Sequence, residues 1–160
     1  MSVRTVSLVL AILIASVVFS AGLSAADDPM MGTWKLNLSK SKYNPGPAPR
    51  SRILKLEPAG GSTFKLTNDA VLANGEKTHV EEMFIQDGKD HPLKDNPNAD
   101  TQVNKQIDAY TTETTNKKGG KTVQVLTRVV SKDGKTMTIT IKGTAPGGAP
   151  LNDVRVFDKQ

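Results

Sequence analysis

Glycine recurs in this chain at an interval that leaves little choice of fold. Gly60-Gly61, Asn74-Gly75, Asp87-Gly88, Gly119-Gly120, Asp133-Gly134 and Gly147-Gly148 punctuate the sequence, most of them 13 or 14 residues apart. Asn-Gly and Asp-Gly suit two-residue hairpins because both central residues adopt positive φ. The segments between them alternate. In Thr136-Met137-Thr138-Ile139-Thr140-Ile141-Lys142 every second residue is apolar, the mark of a strand with one dry and one wet face. Trp34 with Leu36 and Leu38, Leu54 with Leu56, Phe64 with Leu66, and Val123 with Val125 repeat the pattern. The interval from Gly88 to Gly119 holds a turn at Asp95-Asn96-Pro97-Asn98 and a hairpin bend near Asp108-Ala109. Evenly spaced hairpins predict an antiparallel meander of about eight or nine strands. A half-dry sheet of that width must cover itself or curl closed. The expected class is all-β: an up-and-down barrel, which leaves no open edge, with a two-sheet sandwich as the alternative. Tyr43 to Pro49 stands apart, because Pro45, Pro47 and Pro49 cannot continue a ladder. It reads as a stiff loop after the first strand, crossing a barrel end or running along its outside.

The start of the chain has a different composition. Arg4 is followed by an apolar run from Val6 to Phe19, interrupted by Ser7 and Ser16, and then by the small residues Ser20 to Ala26, with Leu23 among them. A charged start, a short apolar run and small residues ahead of a cut make up a secretory signal. Cleavage is expected after Ala26, with Ser24 and Ala26 in the small pockets before the cut, or one residue earlier, and delivery to the periplasm or the medium follows. An uncleaved membrane anchor is the alternative, since the run is almost long enough to span a bilayer. Cysteine is absent, which excludes a lipid-anchored cysteine and any disulfide. Residues 27–160, 134 in number, are enough for one core without staples. Only Arg4 is lost among the charges, leaving 20 basic against 16 acidic residues and a net charge of +4. The basic residues are dispersed, in runs no longer than pairs such as Lys117-Lys118. Nucleic-acid binding would require a clustered stripe.

Catalytic and metal chemistry find little support. His79 and Glu81 share a strand face, with Glu76 or Asp69 the nearest further ligands, and a metal needs three or four. His91 lies in a turn before Pro92. No serine sits in a Gly-x-Ser-x-Gly elbow. Glu81 and Glu82 point to opposite faces of a strand. Gly119-Gly120-Lys121-Thr122 ends like a phosphate loop but lacks the first glycine and precedes no helix. No catalytic residue, metal or cofactor is predicted. An enzyme would be a hydrolase with His79 or His91 buried beside a carboxylate.

The two ends of the domain carry a resemblance. Gly32-Thr33-Trp34-Lys35-Leu36 and Val154-Arg155-Val156-Phe157-Asp158-Lys159 resemble the first and last strands of lipocalins and fatty-acid-binding proteins. In that superfamily a Gly-x-Trp opens the first strand, and a late arginine packs over the tryptophan to close one barrel end. The resemblance implies that closure role for Trp34 and Arg155, by cation–π attraction and stacking. Many fatty-acid-binding proteins end on Arg-x-Tyr, where this chain has Phe157. They place a helical pair where this chain has its proline loop. Gly32 to Gln160 also resembles exported bacterial proteins with a Gly-Thr-Trp-Lys-Leu-Asn start, a Ser-Lys stretch before Pro-Gly-Pro, and Val-Ser-Lys-Asp-Gly-Lys-Thr near the end.

The expected function is therefore an exported barrel holding a small apolar or amphipathic ligand. Its interior would be lined by Phe64, Leu66, Phe84, Val123, Val125, Met137, Ile139 and Ile141, with Arg155 as the site for an anionic head group if it faces a cavity. The alternative is a filled barrel acting through its surface.

Overall fold

The computed structural model describes residues 28–94 and 96–160; the predicted secretory segment lies outside them. Ten strands follow one another: β1 (Gly32–Leu36), β2 (Ser51–Pro58), β3 (Thr63–Val71), β4 (Lys77–Ile85), β5 (Asp90–Pro92), β6 (Thr101–Asp108), β7 (Thr111–Lys118), β8 (Lys121–Val130), β9 (Thr136–Thr144) and β10 (Pro150–Lys159). All are antiparallel in one sheet of order β4-β3-β2-β1-β10-β9-β8-β7-β6-β5. The first strand therefore lies beside the last, with Leu36 opposite Phe157. Each of the six glycine turns connects two of these strands, and the bend near Asp108 separates β6 from β7. The three-residue β5 brings the count to ten, where the turn spacing predicts eight or nine.

The sheet curls into a nearly closed barrel. Its seam lies between β4 and β5, which share no ladder. Across it Gly88 N donates to Asn104 O at 2.9 Å, Asn104 Nδ2 reaches Ile85 O at 3.4 Å, and the Gln86 and Gln106 side chains meet. Pro92 has no N–H with which to extend β5.

The barrel's two ends differ. The lower end, where the chain enters β1 and leaves β10, is packed solid. Trp34, Met137 and Phe157 are fully buried there, among Met30, Leu54, Leu56, Val130, Ile139 and Ile141. The indole Nε1 donates to Met30 O at 2.9 Å. Lys159 Nζ stands 5.0 Å from the Trp34 ring centroid. The expected Arg155–Trp34 stack does not form; the Arg155 guanidinium lies 5.2 Å from the Tyr43 ring instead. Register explains the exchange. Trp34 is paired directly with Lys159, and Arg155 lies four residues, about 13 Å of strand, nearer the other end.

Two further expectations change. Leu38 leaves the strand alternation for a 3-10 turn at Leu38–Lys40, capped by the Asn37 side chain, and is 43% exposed. Val125 lies on the outer face, paired between Thr115 and Lys142, because its neighbour Leu126 packs against the core. Val123 occupies the register break between β7 and β8. The inward residues of β8 are Gln124, Leu126, Arg128 and Val130. Sequence parity favoured the valines because the barrel wall at β8 is partly polar.

Candidate binding site at the barrel mouth

The upper end carries the loop between β1 and β2 and the turns after β3, β5, β7 and β9. A cavity of about 640 Å³ opens there. Its walls include Tyr43 and prolines of the loop, Arg52 of β2, Leu72 and Ala73, Gln124 of β8, and Leu151, Asp153 and Arg155 of β10. A smaller cavity of about 140 Å³ adjoins it, sharing Gln124 and Pro146.

The proline loop is held in place by the few donors and acceptors around it. Lys42 N donates to Val154 O at 2.7 Å and Val154 N to Lys42 O at 2.8 Å; Asn152 N donates to Asn44 O at 2.7 Å. Asn44 N donates to Asp153 Oδ1 at 2.8 Å. These bonds lay the start of the loop along β10, so it crosses the mouth. Asp153 is almost completely buried. Its second oxygen, Oδ2, accepts from Arg155 Nε at 3.1 Å and Nη2 at 2.7 Å. One carboxylate thus fixes both the loop and the guanidinium that lies on Tyr43.

Arg52 is placed differently. Among the described residues its side chain makes no ion pair or hydrogen bond, and its Nε is buried without a partner. Tyr43 Oη and Asn68 Oδ1 are likewise buried and unpartnered. Arg52 sits opposite Ala70 and Asn68 opposite Leu54, so Arg52 and Asn68 are diagonal neighbours on the inner face of β2 and β3. Burial, and then the charge of Arg155, lower the pKa of Arg52. Burial raises the pKa of the Tyr43 hydroxyl against the pull of both arginines, so the phenol keeps its proton.

A polar stripe runs along the interior of β6, β7 and β8. Arg128 Nη1 donates to Thr114 Oγ1 at 2.7 Å, which donates to Asn104 Oδ1 at 2.7 Å. Asn104 Nδ2 donates to Gln102 at 2.9 Å, Gln102 to Asn116 at 3.2 Å, and Asn116 to Gln124 at 3.0 Å. The chain ends at the mouth cavity. Burial pushes the Arg128 pKa down to about 10 and raises that of Glu82; each opposes the other's shift by its charge.

Of the residues predicted to line the interior, Arg155 reaches the mouth cavity. Phe64, Met137, Ile139 and Ile141 are buried, while Leu66 and Phe84 are half-buried against the same core. The Phe64 and Phe84 rings meet at 5.7 Å. Val123 borders the smaller cavity. His79 and Glu81 share the outer face of β4, where His79 Nδ1 meets Asp69 Oδ1 and Lys65 Nζ meets Glu81 Oε1, each at 2.6 Å. His91 Nε2 meets Asp87 Oδ1 at 2.8 Å. Among the described residues no three potential metal ligands gather. Sequence reading missed Arg52, Tyr43 and Asp153 as site residues. Arg52 carried a usable signal, since it shares strand parity with the buried Leu54 and Leu56.

No protein-family model and no curated protein matches the sequence. Solved structures match its shape. The fluorescent protein UnaG is 15% identical at a TM-score of 0.57, over 82% of this chain and 97% of that one. A Schistosoma mansoni fatty acid binding protein in complex with arachidonic acid is 13% identical at a TM-score of 0.55, over 82% and 96%. The zebrafish ileal bile acid-binding protein complexed with cholic acid is 16% identical at 0.53, over 82% and 99%. With the ten-stranded meander and the paired terminal strands, these likenesses show that the chain has the lipocalin-like barrel fold shared with the fatty-acid-binding proteins.

Proposed function

We propose that this is an exported binding protein that holds one small, partly apolar molecule in the mouth half of its barrel. The observation that carries the reading is the cavity of about 640 Å³ at the end opposite the solid core, within the range of about 300–1,000 Å³ usual for small-molecule sites. Leu72, Leu151 and the loop prolines give it apolar walls, and arginine, tyrosine and glutamine add a few convergent polar groups. That mixture suits an amphipathic guest. The barrels of similar shape include proteins solved with arachidonic acid and with cholic acid, which supports a guest of that general character. Export rests on the signal-like first 26 residues.

Native mass spectrometry of the protein purified from its host tests both parts. A reproducible added mass that disappears on denaturation, on a chain beginning at Asp27, is the expected result. A full-length chain would refute the proposed cleavage. A ligand-free mass that persists after incubation with host lipid extract would favour a barrel that acts through its surface.

A further inference from the structure

We propose that the free edge of β4 is a self-association surface, and that its occupant is the β4 edge of a second copy, laid antiparallel about a two-fold axis at Val80. β4 ends the sheet order, and β3 is its only ladder partner among the described residues. Its hydrogen-bond parity is set by the bonds just beyond its two ends. Leu72 N donates to Glu76 O and Gln86 N to Ser62 O, so the even-numbered residues of β4 bond to β3. Lys77, His79, Glu81, Met83 and Ile85 therefore turn their N–H and C=O groups to the seam. The Ile85 carbonyl accepts there from Asn104 Nδ2 at 3.4 Å. From Lys77 to Met83 the seam-facing backbone has no partner among the described residues, which makes it a template for strand addition. Val80 points inward by parity, opposite Asn68, yet is 49% exposed, because the seam beside it is open.

Charge selects the occupant and the register. A two-fold axis at Val80 pairs Lys77 with Met83 of the second copy, His79 with its Glu81, and Val80 with its Val80. Hydrogen-bonded and non-hydrogen-bonded pairs alternate in an antiparallel ladder, so the pairs that exchange bonds are all drawn from the open residues. The pairing ends where Asn104 takes up the edge. On the outer face each His79 gains a glutamate opposite it, and each Lys77 has the same glutamate diagonal to it. Within one copy Asp69 already meets His79, and Lys65 meets Glu81, each at 2.6 Å. Association joins these pairs into rows that run Asp69, His79, then Glu81 and Lys65 of the second copy, acid against base throughout. Moving the axis by one residue sets Glu81 against Glu81, which is unfavourable, or His79 against His79 over a shorter pairing. Charged residues usually blunt a sheet edge; this set is complementary to itself. The contact is isologous, and the two barrels lie side by side with their mouths pointing in opposite directions.

Cysteine cross-linking tests both the surface and the register, because the chain has no cysteine of its own. About the proposed axis the two Val80 Cα atoms stand about 4.5 Å apart, within the span of about 4.4–6.8 Å that a disulfide bridges. The two Met83 residues are about 20 Å apart along the strands. Met83 is the more exposed, at 57%, so random collision would favour it. Under mild oxidation at equal concentration, Val80→Cys is expected to cross-link at least about tenfold faster than Met83→Cys, because association raises the local thiol concentration. In sedimentation, wild type is expected to show a reversible monomer–dimer equilibrium. Glu81→Lys sets a cation against His79 and Lys77 at both ends of the interface and should weaken that equilibrium about tenfold. Glu81 is exposed, so the variant should melt close to wild type when dilute, which shows that it folds. Cross-linking of Val80→Cys no faster than that of Met83→Cys would overturn the proposal. So would a wild-type chain that sediments as a monomer at millimolar concentration, or a wild-type dimer that Glu81→Lys leaves unchanged.

Discussion

Gly143→Ala puts a number on how tightly the wall beside the mouth is built. Gly143 lies on β9 opposite Gln124 of β8, with φ of +149°. A Cβ there would stand 2.2 Å from Val123 O, 2.7 Å from Gln124 Cα and 3.0 Å from Val123 C. The nearest of these is roughly 1 Å short of ordinary contact. All three are backbone atoms of a neighbouring strand, so no side chain can swing away. Forcing the strands apart costs about 1–3 kcal/mol by analogy with overpacking. Holding alanine in so sparsely populated a backbone region costs about 1–3 kcal/mol more. The expected loss is therefore about 4 kcal/mol. Gly134→Ala is the control: its φ is +69°, and an added Cβ meets nothing within 4 Å, so it should cost only the left-handed penalty of about 1–2 kcal/mol. Urea unfolding, followed by the fluorescence of the single tryptophan, measures both. With a slope of about 1–3 kcal/mol per molar, the Gly143→Ala midpoint should fall by about 2 M and the control by less than about 1 M. Equal losses in the two variants would show that β8 yields freely, and the steric argument would fail.

Trp34→Ala removes the fully buried centre of the lower core and should cost about 3–5 kcal/mol by chemical denaturation; a cost under about 1 kcal/mol would contradict that packing. Asp153→Asn should lower stability by about 3–5 kcal/mol by leaving the Arg155 charge without its partner, and should speed hydrogen exchange at the Asn44 amide. Unchanged exchange there would mean that the carboxylate does not anchor the loop. Burial raises the pKa of Glu82, so as pH falls the folded form takes up this proton before the unfolded chain does. Glu82→Gln should therefore be more stable than wild type at neutral pH, with the difference shrinking as pH drops through the raised pKa. Parallel stability curves would refute the burial.

The barrel was legible because its physics is local. Hairpin turns need positive φ, glycine supplies it, and Met137, Ile139 and Ile141 declare a dry face by parity alone. The pairing of β1 with β10 is the longest-range contact in the fold, yet the motif resemblance at Trp34 and Arg155 pointed to a barrel. What parity could not read was the polar interior. Val125 looked inward because it is apolar, while Gln124 and Arg128 looked outward because they are not; burial in a hydrogen-bonded stripe reverses that rule. The partner of Trp34 was also beyond local pattern, since choosing between Arg155 and Lys159 requires the register of strands more than a hundred residues apart. Arg52 was missed for a related reason: parity sets it on the inner face with Leu54 and Leu56, but a charged side chain there is taken as inward only once the upper lumen is known to be polar.

The solid lower half and the open upper half divide the labour of the barrel. Stability resides around Trp34 and Phe157, while the cavity lies at the mouth, beside the loop that Asp153 ties down. Substitutions at Leu72, Leu151 or the loop prolines can therefore reshape the mouth cavity without touching the residues that hold the fold. Such a scaffold is free to drift in the shape of its mouth while it goes on folding in the same way, so closely similar barrels can differ at one end at little structural cost.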